Sequence, residues 1–294
     1  MSAYIEAHRR SFGVEPICRT LAIAPSTYYA AKVRPPSARA IRDAQLTAQI
    51  AALHAANFGV YGVRKLWRAL RREGVLTGRD RVGRLMAAVG LSGVSRARSI
   101  RTTLAAPVGG RPADLVARVF AAAAPNRLWL ADLTYVWTVS GFVYTAFIVD
   151  AFSRAIVGWR VAASLRAEFA LDALEMAIWA RGDRLPGLVH HSDRGVQYLS
   201  IRYTERLADA GAVTSVGSKG DSYDNALAES VNALYKAELI RRRRTWRTLA
   251  DVELATAEWV DWWNHRRLHS ACGDIPPAEF EAAYARSAEV TSAA

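Results

Sequence analysis

Between residues 127 and 270 the spacing of apolar side chains alternates between a period of two and a period near 3.6, and the order of the switches sets the fold class. "RLWLADLTYVW", "FVYTAFIVD" and "AIVGWRVAA" are three consecutive strand candidates. "AEFALDALEMAIWAR" then reads as a helix, "GLVHHSD" as a strand, "YTERLADAG" as a helix, "AVTSVG" as a strand and "DNALAESVNALYKAEL" as a helix. The order βββαβαβα predicts a mixed α/β domain, a three-strand meander followed by crossovers. A last helix, "TLADVELATAEWVDWWNHRR", closes this body.

The residues ahead of it differ in charge. Residues 1–112 hold 19 Lys+Arg against 5 Asp+Glu, and the remainder holds 20 against 22, so the whole net charge of +12 arises in the first third. Such an asymmetry favours a polyanion-binding front end on a more neutral body; the other reading is an arbitrarily basic domain. Residues 1–36 predict a helix-turn-helix-like segment, with "VEPICRTLAIAPSTYYAAK" broken at "APS". Residues 37–91 predict a basic helical bundle on three apolar stripes: Ile41, Leu46, Ile50 and Leu53; Val63, Leu66, Trp67 and Leu70; Val82, Leu85, Met86 and Val89. Arg64, Lys65 and Arg68 flank the second stripe and are candidate DNA contacts. Residues 92–125 read as a linker, 126–281 as the α/β core and 282–294 as a C-terminal tail.

The two cysteines, Cys18 and Cys272, have no nearby cysteine partner, which argues against a zinc ribbon or a disulfide framework and fits a reducing cytoplasm. "MSAYIEAHRR" turns polar at once and lacks the apolar stretch of a secretory signal. The longest uncharged apolar run, residues 133–149, is interrupted by "SG" and rich in β-branched and aromatic residues, so it reads as a strand pair and no membrane association is expected.

Asp132 lies inside the first strand candidate, on the same face as Leu128, Leu130, Thr134 and Val136. A carboxylate there is costly to bury unless it is paired or binds a metal. Asp193 ends the apolar strand "GLVHHSD", where ligands of open α/β sheets gather. For each alone, a buried ion pair or a helix cap is an equally good account. Glu229 lies in the helix "SYDNALAESVNALYK", where Asn225, Glu229, Asn232 and Lys236 fall at steps of four, three and four on one face, with Asp224 as the expected cap. That stripe is either a solvated face or one side of a site. If the three carboxylates converge, two of them about 4 Å apart repel by roughly 4 kcal/mol at an effective dielectric of 20, so one takes a proton or a divalent cation enters. Oxygen-only ligands suit Mg²⁺ or Mn²⁺, which hold phosphate oxygens in an in-line displacement. Such a site joined to a basic front end points to nucleic-acid chemistry.

"WLADLTYV", "HSDRGVQYLS", "SVGSKGDSYDNALAESVNALYKAEL" and "NHRRLHSACGDIPPAEF" resemble the catalytic core of insertion-sequence transposases of the IS3 group, more closely the product of that group's second reading frame. The resemblance runs from about residue 125 to 281 and extends to "FGVYGVRKLWRALRREG" and "CRTLAIAPSTYY". It implies a retroviral-integrase-like (RNase H-like) fold with an Asp-Asp-Glu triad at Asp132, Asp193 and Glu229, which would hold Mg²⁺, with Mn²⁺ able to substitute. It implies cleavage at element ends and transfer of the freed 3′-hydroxyls to a phosphodiester. Lys236 matches a DNA-contacting basic residue; Asn225, His191 and Arg194 lie beside the triad as further candidate DNA contacts. It also implies element-end and target DNA as partners, a homo-oligomer on DNA, and action in the cytoplasm at the nucleoid. Proteins of this group are usually made as fusions with an upstream frame that supplies a helix-turn-helix and leucine zipper. This chain shows no heptad zipper, so an upstream-frame protein or fusion is an expected partner.

His265 and His269 have the i, i+4 spacing of a zinc helix, but the metalloprotease Glu is absent and phosphate contact or capping is the preferred reading. His190 and His191 point to opposite faces of their strand, and only His191 shares the face of Asp193, to touch substrate or to pack. The run Arg241–Arg244 is either a solvated turn or a DNA track. The rival functions are an RNase H-fold nuclease, which releases the cleaved end, and a non-catalytic DNA-binding regulator of transposition. A retroviral-type integrase is disfavoured because its zinc module needs a cysteine pair.

Overall fold

A computed structural model describes residues 1–95, 121–193, 197–198, 200–216, 225–243 and 245–292. They fall into two compact units, Met1–Ile50 and Ala51–Ala294, divided within a helix rather than at a linker.

The first unit contains α1 (Ser2–Phe12), α2 (Val14–Thr20), α3 (Pro25–Val33) and the first part of α4 (Ala38–Ala56). Ile5, Ile17, Cys18 and Tyr28 make its core. Gly13 at φ 75° turns α1 into α2. Pro25 starts α3, where its missing N–H costs nothing. Two helices, α2 and α3, lie in the segment where a helix-turn-helix-like unit is expected; α1 exposes all but one or two of its side chains and carries too weak a stripe to be foreseen.

In the second unit the bundle continues with α5 (Val63–Arg72) and α6 (Arg79–Ala88), where Leu66, Leu70, Val82, Leu85 and Met86 are buried as their spacing predicts. The α/β body follows in the predicted order: β1 (Leu128–Thr138), β2 (Gly141–Asp150), β3 (Ile156–Ala162), α7 (Ala167–Arg181), β4 (Val189–Ser192), α8 (Ile201–Asp209), β5 (Val213–Val216), α9 (Ala226–Glu238) and α10 (Leu249–His265). A further helix, α11 (Pro277–Ser292), takes in most of the stretch expected as a tail from 282. The strands form one sheet in the order β3-β2-β1-β4-β5, with β1, β2 and β3 antiparallel and β4 and β5 parallel to β1.

Helices cover both faces. On one, Trp129, Ala131, Ala146, Ile148 and Val157 pack against Phe169, Ala173, Leu174 and Ile178 of α7 and Tyr203 and Leu207 of α8. Gly158 is what lets α7 lie so close to β3, because a Cβ there would come within 2.1 Å of the Ala173 carbonyl. On the other face Phe147 meets Tyr235 of α9 at 5.0 Å between ring centroids, and Tyr235 meets Trp259 of α10 at 5.2 Å. Tyr235 donates or accepts at Thr256 Oγ1 (2.7 Å), which satisfies its buried hydroxyl. Alternation along β1 shows which side is which: Thr134, Val136 and Thr138 are buried, and Tyr135 and Trp137 are exposed.

Candidate active site

Sheet register brings the first two carboxylates together. The last paired residues of the parallel β1–β4 ladder are Ala131 and Ser192. Asp132 and Asp193 each follow directly, on adjacent strands about 4.8 Å apart, Asp193 just past the end of β4 and Asp132 within β1. Beyond this step β4 stops while β1 continues with β2 alone, so the two residues stand where β1 loses β4 as its neighbour.

The helix α9 is fastened to the same place by two amides. Asn225, at the N-cap position, donates from Nδ2 to the Ala131 carbonyl (2.9 Å). Asn232 donates from Nδ2 to Asp132 Oδ2 (2.9 Å) and approaches the Leu133 carbonyl (3.3 Å). Both amides are buried. Glu229 lies between them on the same helical face, four residues after one and three before the other, and is exposed. The polar stripe is therefore not a solvated face: its two amides grip β1 and hold Glu229 above the end of the strand. Asp224, the expected cap, lies outside the described residues.

The electrostatics agree. The Asp132 carboxyl is pushed up to about 7, first by burial, then by the Asp193 charge, and more weakly by Glu229; the Leu133 N–H and the Asn232 amide act in the opposite sense. The N–H of Leu133 donates to Asp132 Oδ1 at 2.8 Å. Asp132 thus senses both of the other carboxylates, Asp193 more strongly than Glu229. Among the described residues no three His, Cys, Asp or Glu side chains are gathered tightly enough to enclose an ion by themselves.

One neighbour was not singled out by sequence reasoning. Tyr198 is buried, its hydroxyl has no hydrogen-bond partner, and its phenol is held well above the ordinary range by burial, then Tyr203, then the charges of Asp132 and Asp193. It lies in "HSDRGVQYLS", where its spacing from Asp193 was the available signal.

Several expected DNA contacts are corrected by burial. Asn225 is spent on β1. His191 is fully buried and its Nδ1 pairs with Ser215 Oγ at 2.9 Å across the β4–β5 ladder, so it packs rather than touching a substrate. His190, on the other face, meets the Tyr203 hydroxyl at 3.0 Å, and burial lowers its imidazole to about 3. Lys65 lies over the Tyr61 ring at 5.0 Å and burial, with Arg267 nearby, lowers its ammonium to about 7, which makes it a poor phosphate ligand. Arg64 and Arg68 stay partly exposed but both face Asp274, at 3.5 and 3.2 Å. Arg194 lies outside the described residues.

Lys236 is half-buried with its Nζ 4.6 Å from the centre of the Tyr135 ring. His265 is exposed and paired with Asp261 at 3.1 Å, whereas His269 is buried against Trp263, so the i, i+4 pair does not present two ligands together. In the arginine run, Arg241 and Arg242 lie in a short 3₁₀ turn and Arg243 covers the Trp246 ring at 4.8 Å; Arg244 lies outside the described residues. Among the described residues no helix is long and apolar enough to cross a membrane.

Comparison with known proteins gives the same architecture. The "Integrase core domain" family matches residues 122–222, a second family of the same description matches 210–277, and the "HTH-like domain" family matches 40–99. A protein of Mycobacterium tuberculosis named as a transposase for insertion sequence element IS986/IS6110 is 57% identical over 266 residues, covering 89% of this chain and 96% of that protein. The transposase for insertion sequence element IS629 of Shigella sonnei is 52% identical over 291 residues, covering 97% and 96%. Among solved structures, the catalytic core domain of HTLV-2 integrase in complex with magnesium is similar at 18% identity and a TM-score of 0.43, covering 54% of this chain and 98% of that one. With carboxylates side by side on adjacent parallel strands, an integrase core, an HTH-like DNA-binding region and relatives more than half identical over nearly the whole length, the chain belongs to the insertion-sequence transposases of the IS3 family.

Proposed function

We propose that this transposase cuts and joins DNA through a divalent-cation site formed by Asp132, Asp193 and Glu229. The observation that carries the reading is the register step at which Asp132 and Asp193 leave the β1–β4 ladder side by side, with Glu229 held over them between Asn225 and Asn232. The donor set fits such an ion: it is all oxygen, Asp193 and Glu229 are exposed, and the Asp132 carboxyl is driven toward protonation by burial and then by the Asp193 and Glu229 charges, a cost that a cation offsets. Three carboxylates would leave positions for phosphate oxygens and water, as Mg²⁺ prefers and Mn²⁺ accepts. When bound, the ion polarises the phosphoryl oxygen and makes the attacking oxygen a better nucleophile.

The chain's own residues do the rest. Asn232 and the Leu133 N–H orient Asp132, and α9 keeps Glu229 at a constant height over the strand end. Lys236, seven residues and about 10 Å beyond Glu229 along the helix, is placed for a phosphate beside the scissile one. In the first step water attacks a phosphodiester at the element end, the P–O3′ bond breaks and a 3′-hydroxyl is released. In the second that hydroxyl attacks a target phosphodiester, forming one P–O bond as another breaks, so joining needs no external energy source. The HTH-like region supplies the DNA grip. Joining two element ends calls for a homo-oligomer on DNA, and the absence of a heptad zipper in this sequence supports a helix-turn-helix and leucine-zipper protein or fusion from an upstream frame. The setting proposed is the cytoplasm, at the nucleoid.

Asp132→Asn, Asp193→Asn and Glu229→Gln should each abolish joining of a labelled element-end oligonucleotide while DNA affinity in a filter assay stays within about twofold. A variant that joins DNA at near-native rate removes its residue from the site.

A further inference from the structure

Past the point where β4 ends, the β1–β2 hairpin carries three large aromatic side chains into solvent. Tyr135, Trp137 and Phe142 are 56%, 65% and 48% exposed, on the face opposite to Asp132 and Thr134. Trp137 and Phe142 are directly paired across the two strands, with ring centroids 4.6 Å apart at 78°, and Phe142 meets Tyr135 at 5.6 Å and 89°. Each ring is braced edge to face by the next, so the orientations are set before any ligand arrives. A contiguous exposed patch of this kind marks a binding surface rather than scattered surface apolarity.

The surroundings are cationic. Lys236 covers the Tyr135 ring, and its ammonium is lowered by burial and by nearby Arg241. The hairpin turn is bonded to the basic segment that follows α9: the Val139 N–H donates to the Trp246 carbonyl (2.9 Å), and Ser140 donates from its N–H and its hydroxyl to the Arg247 carbonyl (3.2 and 2.8 Å). Arg241 and Arg247 are both exposed. Aromatic faces interleaved with cations are what an unpaired nucleic-acid strand requires, the bases stacking and the phosphates pairing. Duplex bases offer no free face; only unstacked ones can use these rings.

We propose that Tyr135, Phe142 and Trp137 form a stacking platform for unpaired DNA bases close to the scissile phosphate, with Lys236 holding the adjoining backbone. The proposal rests on the reading of Asp132 as part of the reaction centre. At about 3.3 Å per residue, Tyr135 and Trp137 stand roughly 10 and 16 Å along β1 from Asp132, about three to five base-pair steps of duplex rise. The rings lie on the other face of β1, so a strand running from the cut reaches them around the edge that β1 presents beyond β4, past Lys236, and the captured bases lie several nucleotides from the cut. The platform favours DNA whose ends are melted or distorted, and it keeps them open while the 3′-hydroxyl is aligned.

The test is a thermodynamic cycle between base and ring. Full-length protein carrying Asp132→Asn, so that no chemistry intervenes, is titrated with element-end duplexes whose terminal five pairs are mismatched, intact or abasic at single positions. Trp137→Ala and Tyr135→Ala should each weaken binding to the mismatched ends by about five- to hundredfold, and Trp137→Phe by much less. At one or more positions the abasic duplex should weaken the parent protein equally and the Ala variant no further. Affinity for an internal, fully paired duplex should not change, nor should the melting temperature of the free proteins. Additive effects of abasic site and Ala substitution, or wild-type affinity of Trp137→Ala for mismatched ends, overturn the platform and leave the patch as a face for another protein chain. Failure of the underlying reading is visible separately, as DNA joining by the Asp132→Asn protein.

Discussion

Asn232 holds Asp132 from across the helix–strand gap, its amide nitrogen 2.9 Å from Oδ2, one turn beyond Glu229 on the same face of α9. The contact does two things. It fixes how far α9 stands from β1, and it favours the ionised carboxylate against the burial and like charges that oppose it.

Loss of that amide should therefore appear in the pH profile. A hydrogen bond to a charged group contributes roughly 1.5–3 kcal/mol, so in Asn232→Ala the Asp132 carboxyl rises above about 7. The acid limb of the joining rate should move up by about one to two pH units, with much of the lost rate recovered at pH 8.5 in added Mn²⁺. A uniform loss at all pH values would mean that Asn232 serves only to pack the helix.

The same carboxyl makes the metal-free protein sensitive to pH. Its pKa is raised from 3.8 to about 7 on folding, so the folded state holds the proton more tightly than the unfolded chain. Stability from this group is fully present below about pH 4 and is lost as pH rises to about 7. In EDTA, Asp132→Asn should be more stable than the parent at pH 7.5 by on the order of 2 kcal/mol, with the gap closing toward pH 4. Adding Mg²⁺ or Mn²⁺ should raise the parent's melting temperature and leave the variant's unchanged. Identical pH dependence in the two proteins would show that Asp132 is not the strained member.

Lys65 gives a prediction of opposite sign. Its ammonium is lowered from 10.5 to about 7, first by burial and then by Arg267, so the unfolded chain binds the proton more tightly. Stability from this group is present above about pH 10.5 and is lost as pH falls to about 7. Lys65→Met keeps the stem over Tyr61 and removes the charge. It should stabilise the protein by roughly 1–2 kcal/mol at pH 7 and leave DNA affinity and its salt slope unchanged. A slope smaller by about one would restore Lys65 to the phosphate contacts.

The sheet and the carboxylates were legible because both are written in periodicity. An Asp on an apolar strand face and another at a strand's end stand out, and strand order follows from the meander and two crossovers. What the residues faced was not legible. Asn225 read as a DNA contact and Asn232 as one more member of a polar stripe, since their partners Ala131 and Asp132 lie about a hundred residues away. Charge counting made α5 a DNA face, but Arg64 and Arg68 meet Asp274, and Arg72 meets Glu279 at 2.6 Å. His191 looked like a site residue because it shares the face of Asp193; that β4 is buried on both faces, so that His191 packs, is what alternation cannot show for a central strand. The helix α11 escaped notice because from residue 282 its side chains are exposed and leave no apolar stripe.

At its far end α9 is fixed by a different device. Glu238 and Arg267, with side chains 6% exposed, meet through two bonds of 2.6 and 3.0 Å, and the guanidinium lies over the Trp263 ring at 4.4 Å. Two asparagines tie the start and middle of the helix to β1, and this pair ties its last residue to the segment after α10, so Glu229 is held on a helix anchored at both ends. Breaking a buried pair from one side leaves an uncompensated charge and costs about 3–5 kcal/mol, whereas replacing both partners with apolar groups of similar volume is often nearly neutral. In urea titrations Glu238→Gln should lose on the order of 3 kcal/mol, and the double variant Glu238→Leu, Arg267→Met should recover most of it. If the anchor also positions Glu229, the double variant, though stable, should join DNA more slowly than the parent while binding it equally well. Full joining activity in the double variant would confine the pair to stability and leave the positioning of Glu229 to the asparagines and the packing of Tyr235.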